Sequence, residues 1–290
     1  MSWATWDQAA IACLCSLVGL ILVTVSGPRS LREFLAPVFT EFALISALYS
    51  IWRLARELPF THESGAIERA RWIDHFQNAL HFPTEISMQH FVLQHDWLAR
   101  ATNAYYATVH VPALIAFMVW LFFRHRDRYP HWRNGLALLT LGCLVIRFIR
   151  VAPPRFLPEL PFVDLSARYG LGVYGPVGTG VSDQFAAMPS IHVGWAAVVA
   201  LGIFFSTTSR WRWFFVLHLP ITMLVVAATG HHWWLDGIVA IALLWGGLRL
   251  DTFVRRVRAE ARAAREDSVP AEPASATVRS ARLSATEGVS

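Results

Sequence analysis

The chain has 290 residues, of which 55% are hydrophobic and only 16% charged, and its formal net charge is +5. Because soluble domains carry about 25% charged residues, this composition argues against a soluble globular protein and indicates a membrane protein with several spans. All 25 basic residues are arginines. They cluster beside apolar runs, which argues against a nucleic-acid partner.

A spanning helix needs about 20 mostly apolar residues. Seven runs are candidates: 9–27, 35–52, 104–123, 135–151, 191–208, 212–229 and 234–250. Glu41 weakens the second of them, so we expect an all-α bundle of six or seven transmembrane helices. Its parts are N-terminal spans over 1–52, a segment with interfacial or re-entrant helices over 53–103, a transmembrane core over 104–254 and a tail over 255–290.

The tail is expected to extend the last helix at first and then to have the composition of a disordered segment. Arginines cluster in the loop at 124–133, in the turn near 210 and in the tail. Helix parity places these three segments on one face, which the positive-inside rule identifies as cytoplasmic. The loop at 152–190 and the turn at 229–234 then lie on the outer face.

Three polar clusters fall at the ends of spans on that outer face. They read "APPRF", with Arg155; "MPSIH", with Ser190 and His192; and "TGHHWWLD", with His232 and Asp236. Helix parity alone brings them to one side of the membrane. Their convergence is the strongest functional signal in the sequence.

Each cluster has a chemical use. His232 and Asp236 are four residues apart and share one helix face, so the carboxylate can fix the imidazole tautomer and leave the other nitrogen free to attack. Ser190 and His192 lie in a first helical turn, whose positive dipole end favours an anion. Arg155 offers a bidentate fork for phosphate. Together these groups suit phosphoryl transfer through a phosphohistidine.

Weaker candidates lie elsewhere. Arg100 and Asn103, with Tyr106, fall on one helix face at spacings of three and either bind an alcohol headgroup or pack the bundle. His231 has an uncertain role near the substrate. The glycine-rich stretch around 170–180 lacks the GK[ST] ending of a nucleotide-binding loop and is expected to be a mobile loop over the site.

Other functions remain open on the residues alone. A serine hydrolase using Ser190 and His192 is disfavoured because side chains at i and i+2 of a helix diverge. A transporter or scaffold needs more intramembrane charge than Glu41 supplies. His231, His232 and Asp236 have a spacing that permits a metal, but no further ligand is evident, so no metal and no cofactor is predicted.

"PSIH" resembles the PSxH motif of the type 2 phosphatidic acid phosphatase superfamily, and "HWWLD" resembles the second half of its other signature. The resemblance is strong over 145–245, weaker over 40–144, and does not cover the tail. It implies that His232 is the nucleophile, that Asp236 orients it and that His192 is the general acid. It further implies that Ser190 holds a phosphate oxygen and that Arg155 replaces the basic residues of the first motif.

The whole combination is similar to a bacterial branch like the inositol phosphorylceramide synthases. Phosphatase members carry a Ser-Arg pair ahead of the last histidine, where this chain has Val225 and Val226. The resemblance therefore implies a phosphotransferase in the plasma membrane, with a phospholipid substrate and inositol or another polyol as acceptor. A plain lipid phosphate phosphatase is the alternative.

Overall fold

The computed structural model describes residues 4–57, 64–170 and 185–267. Over these ranges the chain forms helices and no β-strand, which confirms the predicted all-α membrane bundle. The α-helices are α1 (Trp6–Ser26), α2 (Arg29–Glu57), α3 (Ala66–Ala79), α4 (Glu85–Leu93), α5 (Asp96–Thr108), α6 (His110–Arg124), α7 (Tyr129–Ile146), α8 (Leu165–Tyr169), α9 (Ile191–Ser206), α10 (Arg212–Val216), α11 (His218–Ala228) and α12 (Trp234–Asp267). One 3₁₀ turn, Pro154–Phe156, follows α7.

Three of the described helices are long and apolar enough to cross a membrane by themselves: α1, α2 and α12. Helices α5 and α6, which meet at an angle of 50°, make a fourth span if they are counted as one. α9 and the α10–α11 pair are apolar but shorter. The count of six or seven spans therefore stays a prediction.

Prolines explain why two predicted spans are broken. Pro112 has no N–H to donate to the carbonyl of Thr108, so the helix bends between α5 and α6 instead of running straight through 104–123. Pro220 likewise has no N–H for the carbonyl of Val216, where α10 ends. Both breaks place a histidine at the start of the following helix.

α9 is the central helix of the bundle and packs against α6, α7, α10 and α11. Small residues let its neighbours approach. A Cβ added to Gly194 would lie 2.8 Å from Leu139, and one added to Gly202 would lie 2.2 Å from Phe117. This close packing holds the start of α9, and with it the "MPSIH" cluster, at a fixed place.

The N-terminal helices form a hairpin of their own. The Tyr49 hydroxyl donates to the carbonyl of Ala4 at 3.1 Å, and Ser50 donates to the carbonyl of Trp6 at 2.7 Å. Glu41, the charge that weakens the second apolar run, accepts a hydrogen bond from Arg133 on α7. This half-buried charge is therefore paired, and the pair connects the hairpin to the core.

A second unit begins at Arg249. Its described part is the continuation of α12 to Asp267, which carries the helical ion pairs Arg255–Asp251 at 2.6 Å and Arg256–Glu260 at 2.8 Å. The tail beyond 267, predicted to be disordered, and the glycine-rich stretch at 171–184, predicted to be a mobile loop, lie outside the described residues.

Candidate active site

Backbone hydrogen bonds bring the three predicted clusters together. Val151 donates to the carbonyl of Phe185 at 2.9 Å and accepts from the N–H of Ala187 at 3.1 Å, so the segment after α7 runs beside the approach to α9. The N–H of Arg155 donates to the carbonyl of Gly230 at 3.2 Å. Gly230 has a φ of +66°, and a side chain there would also press on Arg155. The chain thus fixes Arg155 next to the two adjacent histidines.

Asp236 joins the beginnings of α9 and α12. It is fully buried, and its Oδ2 accepts the N–H of Trp233 at 2.8 Å. Its own carbonyl accepts the N–H of Ser190 at 3.1 Å. The Trp233 indole donates to the carbonyl of Ala152 at 2.9 Å, which anchors the same turn to the segment after α7. The Asp236 carboxylate therefore stabilises the turn before α12 and also faces the His232 imidazole.

His232 is held through its Nδ1. This nitrogen lies 2.7 Å from the carbonyl oxygen of Ala187 and 3.4 Å from Asp236 Oδ2. A carbonyl oxygen only accepts hydrogen bonds, so Nδ1 of the neutral ring carries the proton and Nε2 carries the lone pair. Nε2 is buried and has no hydrogen-bond partner among the described residues. Orientation by Asp236 was expected from the sequence; the closer contact to Ala187 was not.

His192 lies beside the nucleophile candidate. Its ring centroid is 5.7 Å from that of His232 and 4.8 Å from that of Tyr106. The ring is half-buried, and its Nδ1 is enclosed without a hydrogen-bond partner in the described chain. A phosphorus bound at His232 Nε2 would have an imidazole within reach of its leaving oxygen.

His231 faces a different group from His232. Its ring stacks on Tyr106, with centroids 4.3 Å apart and planes 22° apart. Burial lowers the pKa of His231 well below its usual range, and the positive charge of Arg155 acts in the same direction. His231 is therefore neutral at physiological pH and can serve as a hydrogen-bonding group but not as a cation.

The remaining predicted residues have different surroundings. Ser190 is fully buried as the N-cap of α9, and its Oγ accepts the N–H of Val193 at 3.4 Å. Asn103 is fully buried on α5, one turn before Tyr106. Arg100 is exposed, and its polar contacts within the described chain are Asp96, at 2.7 Å, and the ring of Tyr169.

Two buried polar residues hold the start of α12: Gln77, which the sequence did not mark as a candidate, and Glu85, which is among its weaker candidates. Gln77 Oε1 accepts the N–H of Leu235 at 2.8 Å, and Gln77 Nε2 donates to Glu85 at 2.8 Å. Glu85 also accepts the N–H of Trp234 at 3.1 Å. Both side chains are buried, and burial raises the pKa of Glu85 to about 7. The only sequence signal for Gln77 was its place in the helical repeat of Ala66, Ala70 and Ile73.

The described residues contain no group of three or more His, Cys, Asp or Glu side chains arranged to hold a metal ion. The absence of a metal or cofactor from the reaction remains a prediction. The site contains one imidazole whose buried Nε2 has no hydrogen-bond partner among the described residues, a second imidazole beside it, a buried carboxylate and an arginine. Such a set suits nucleophilic and acid–base chemistry at phosphorus.

The comparisons with known proteins agree with this chemistry. The sequence model described as the PAP2 superfamily matches residues 71–250. This range includes every residue assigned above to the site, and it excludes the N-terminal hairpin and the tail. No curated protein and no solved structure gives a significant match to the chain.

Proposed function

The chain belongs to the PAP2 superfamily, and from that premise we propose that it transfers the phosphoryl group of a membrane lipid through a phosphohistidine on His232. Family membership already places the chain among membrane enzymes that act on lipid phosphates. The observation that carries the finer proposal is the tautomer of His232. Its Nδ1 is committed to the Ala187 carbonyl at 2.7 Å, so its Nε2 presents the lone pair that attacks phosphorus.

The residues of the site account for each bond and each proton in the first step. His232 Nε2 forms a bond to phosphorus while the bond from phosphorus to the lipid oxygen breaks, and its electron pair stays on that oxygen. His192 donates a proton to the departing oxygen. The negative charge of Asp236, 3.4 Å from His232 Nδ1, stabilises the positive charge that develops on the attacking ring.

Arg155 and the beginning of α9 would bind the phosphoryl oxygens. Arg155 is fixed next to His231 by its hydrogen bond to Gly230, and a guanidinium is suited to bidentate phosphate binding. Ser190 and the first backbone N–H groups of α9 add the positive end of a helix dipole. Neutral His231 completes this shell as a hydrogen-bond donor.

The phosphohistidine is then resolved by an alcohol or by water. The attacking hydroxyl gives its proton to His192, and the electron pair of the P–N bond returns to His232 Nε2. We propose inositol or another polyol as the acceptor. Val225 and Val226 support this preference, because both are buried where phosphatase members carry a Ser-Arg phosphate clamp. Hydrolysis is the second candidate.

Activity assays on the purified chain in lipid vesicles test the proposal. His232→Ala should abolish turnover of a phospholipid labelled on its phosphoryl group, and vanadate should inhibit the unchanged protein because it mimics pentacoordinate phosphorus. His75→Ala, on the exposed face of α3, is the matched control and should stay active. Near-full activity of His232→Ala would contradict the proposal.

The same assay with and without inositol separates the two outcomes of the reaction. A labelled phosphopolyol that appears only with the alcohol indicates transfer. Release of free phosphate at the same rate in both conditions indicates hydrolysis and excludes the polyol acceptor. We further propose that the site faces the outer side of the plasma membrane and that the C-terminus is cytoplasmic, as the arginine distribution predicts.

A further inference from the structure

One buried histidine close to the site has no part in the steps above. His110 begins α6, at the bend that Pro112 introduces, and is only 3% exposed. Its ring centroid lies 5.1 Å from that of His192, and the two rings meet edge to face at 66°. A titratable side chain is thus enclosed next to the general acid and on the opposite side of the bend from Tyr106.

The hydrogen bond of His110 fixes which of its nitrogens can accept a proton. Its Nδ1 lies 3.2 Å from the carbonyl oxygen of Tyr106. Since the carbonyl only accepts, Nδ1 of the neutral ring carries the hydrogen and Nε2 is left with a lone pair. That nitrogen is buried and has no hydrogen-bond partner among the described residues.

His192, in turn, has a buried nitrogen that lacks a hydrogen-bond acceptor within the part of the chain that the structure describes. Its buried nitrogen is Nδ1, which has no partner in the described chain, and the ring is otherwise half-buried. A half-buried ring whose Nδ1 faces inward leaves the Nε2 edge for substrate. To give up a proton from Nε2, the ring must first be an imidazolium, and its Nδ1–H then needs an acceptor because a buried charged donor without one is costly.

The nucleophile, His232, has an acceptor for its Nδ1–H, whereas Nδ1 of the general acid, His192, has none among the described residues. His232 Nδ1 is bonded to Ala187 and faces Asp236. The groups around His192 are Tyr106 on α5, His110 on α6, the adjacent His231 and His232, and Trp195 on its own helix. His218 on α11 lies behind His110, at 6.1 Å, and is bonded through Nδ1 to Tyr105.

Resting on the proposed function, we infer that His110 is a positioning residue that accepts the Nδ1–H of His192 and so supports it as the general acid. Catalytic hydrogen bonds are often long before substrate binds and shorten in the complex. When the lipid oxygen departs, His192 Nε2 gives its proton to that oxygen and the ring becomes neutral. Its Nδ1–H remains directed to the lone pair of His110 Nε2, so no proton is lost or gained between the two rings.

Leaving-group dependence tests this role, because a good leaving group needs no acid. Short-chain phosphatidate has a poor alkoxide leaving group, whereas p-nitrophenyl phosphate has a good one. His110→Asn should lower kcat/KM for phosphatidate about tenfold, a part of the 10²–10⁴ that general acid catalysis supplies, and leave p-nitrophenyl phosphate nearly unchanged. His110→Gln, whose longer amide reaches about as far as Nε2, should restore most of the activity.

Two outcomes overturn the inference. The first is an equal loss of activity of His110→Asn on both substrates, or no loss on either, since a purely structural role does not depend on the leaving group. The second is the same selective loss in His218→Asn, the control on the far side of His110. If the unchanged protein cleaves neither substrate, the proposed function itself is contradicted. If His110→Asn still forms the phosphoenzyme, the proposed function stands and only the role of His110 is in question.

Discussion

At the scale of single residues, the main result is that a backbone carbonyl, together with the Asp236 carboxylate, orients the nucleophile His232. The sequence identified His232 and Asp236 as a pair because their spacing places them on one helix face. It could not identify Ala187, 45 residues away in the chain and 2.7 Å from His232 Nδ1. A carbonyl has no residue-type signature, so only the fold discloses it.

Asp236→Asn distinguishes the contribution of the Asp236 carboxylate to His232 from that of the Ala187 carbonyl. The asparagine Oδ1 can still accept the N–H of Trp233, and Ala187 still fixes the tautomer, so the protein should fold and retain its thermal midpoint. The charge that stabilises the developing imidazolium is lost. We expect kcat to fall, but by less than the roughly 10⁴-fold drop seen where the tautomer is lost together with the charge. A steady-state assay checks this, and a change of less than about threefold would show that the carbonyl alone suffices.

At the scale of elements, α3 and α4 matter because they hold the first turn of α12. Gln77 contacts Leu235 across 158 residues of sequence, and Glu85 contacts Trp234 across 149. Hydropathy predicted that the segment over 53–103 lies outside the long spans, but polar residues on an amphipathic helix do not reveal which distant N–H groups they meet. The long apolar helices α1, α2 and α12 were therefore predictable from sequence, and the contacts that hold the start of α12 were not.

The stability of this contact should depend on pH. In the unfolded chain Glu85 ionises near its usual pKa of 4.5, whereas burial raises its pKa in the folded protein to about 7. The unfolded state thus releases a proton that the folded state keeps between these values, so the contribution of Glu85 to stability is greatest below pH 4.5 and is lost as the pH rises through 7. The full difference is about 3 kcal/mol.

Glu85→Gln removes this titration while its Oε1 can still accept from Gln77 and Trp234. The thermal midpoint of the unchanged protein in detergent should fall between pH 5 and pH 8, and the variant should show a flatter profile. Parallel profiles for the two proteins would show that other groups dominate the pH dependence in that range.

Helix packing gives a second test at this scale. A Cβ at Gly202 would lie 2.2 Å from the Phe117 ring, so Gly202→Ala should destabilise the contact between α9 and α6 by about 1–3 kcal/mol. Gly246→Ala on α12 is the matched control, because no atom lies within 4 Å of the added Cβ. It should keep or raise the thermal midpoint, since alanine favours a helix by about 1 kcal/mol over glycine. Equal effects in both variants would contradict this packing.

At the scale of the whole molecule, the arginine distribution predicts how the chain crosses the membrane. Glu159, in the segment after α7, should face outward, and Ser209, in the turn after α9, should face the cytoplasm. Both positions are exposed. With Cys13, Cys15 and Cys143 replaced by alanine, a membrane-impermeant maleimide should label Glu159→Cys on intact cells and Ser209→Cys only after permeabilisation. The opposite pattern would place the site on the cytoplasmic side.

The central claim is that the phosphoryl group passes through His232, and trapping the intermediate tests it most directly. The purified protein is mixed with a phospholipid labelled on its phosphoryl group, quenched within milliseconds at alkaline pH, and mapped by mass spectrometry. We expect an acid-labile, alkali-stable phosphoryl group on His232 that forms and decays at rates consistent with turnover. A covalent phosphoryl group on Ser190, or turnover with no covalent intermediate on His232, would contradict the account.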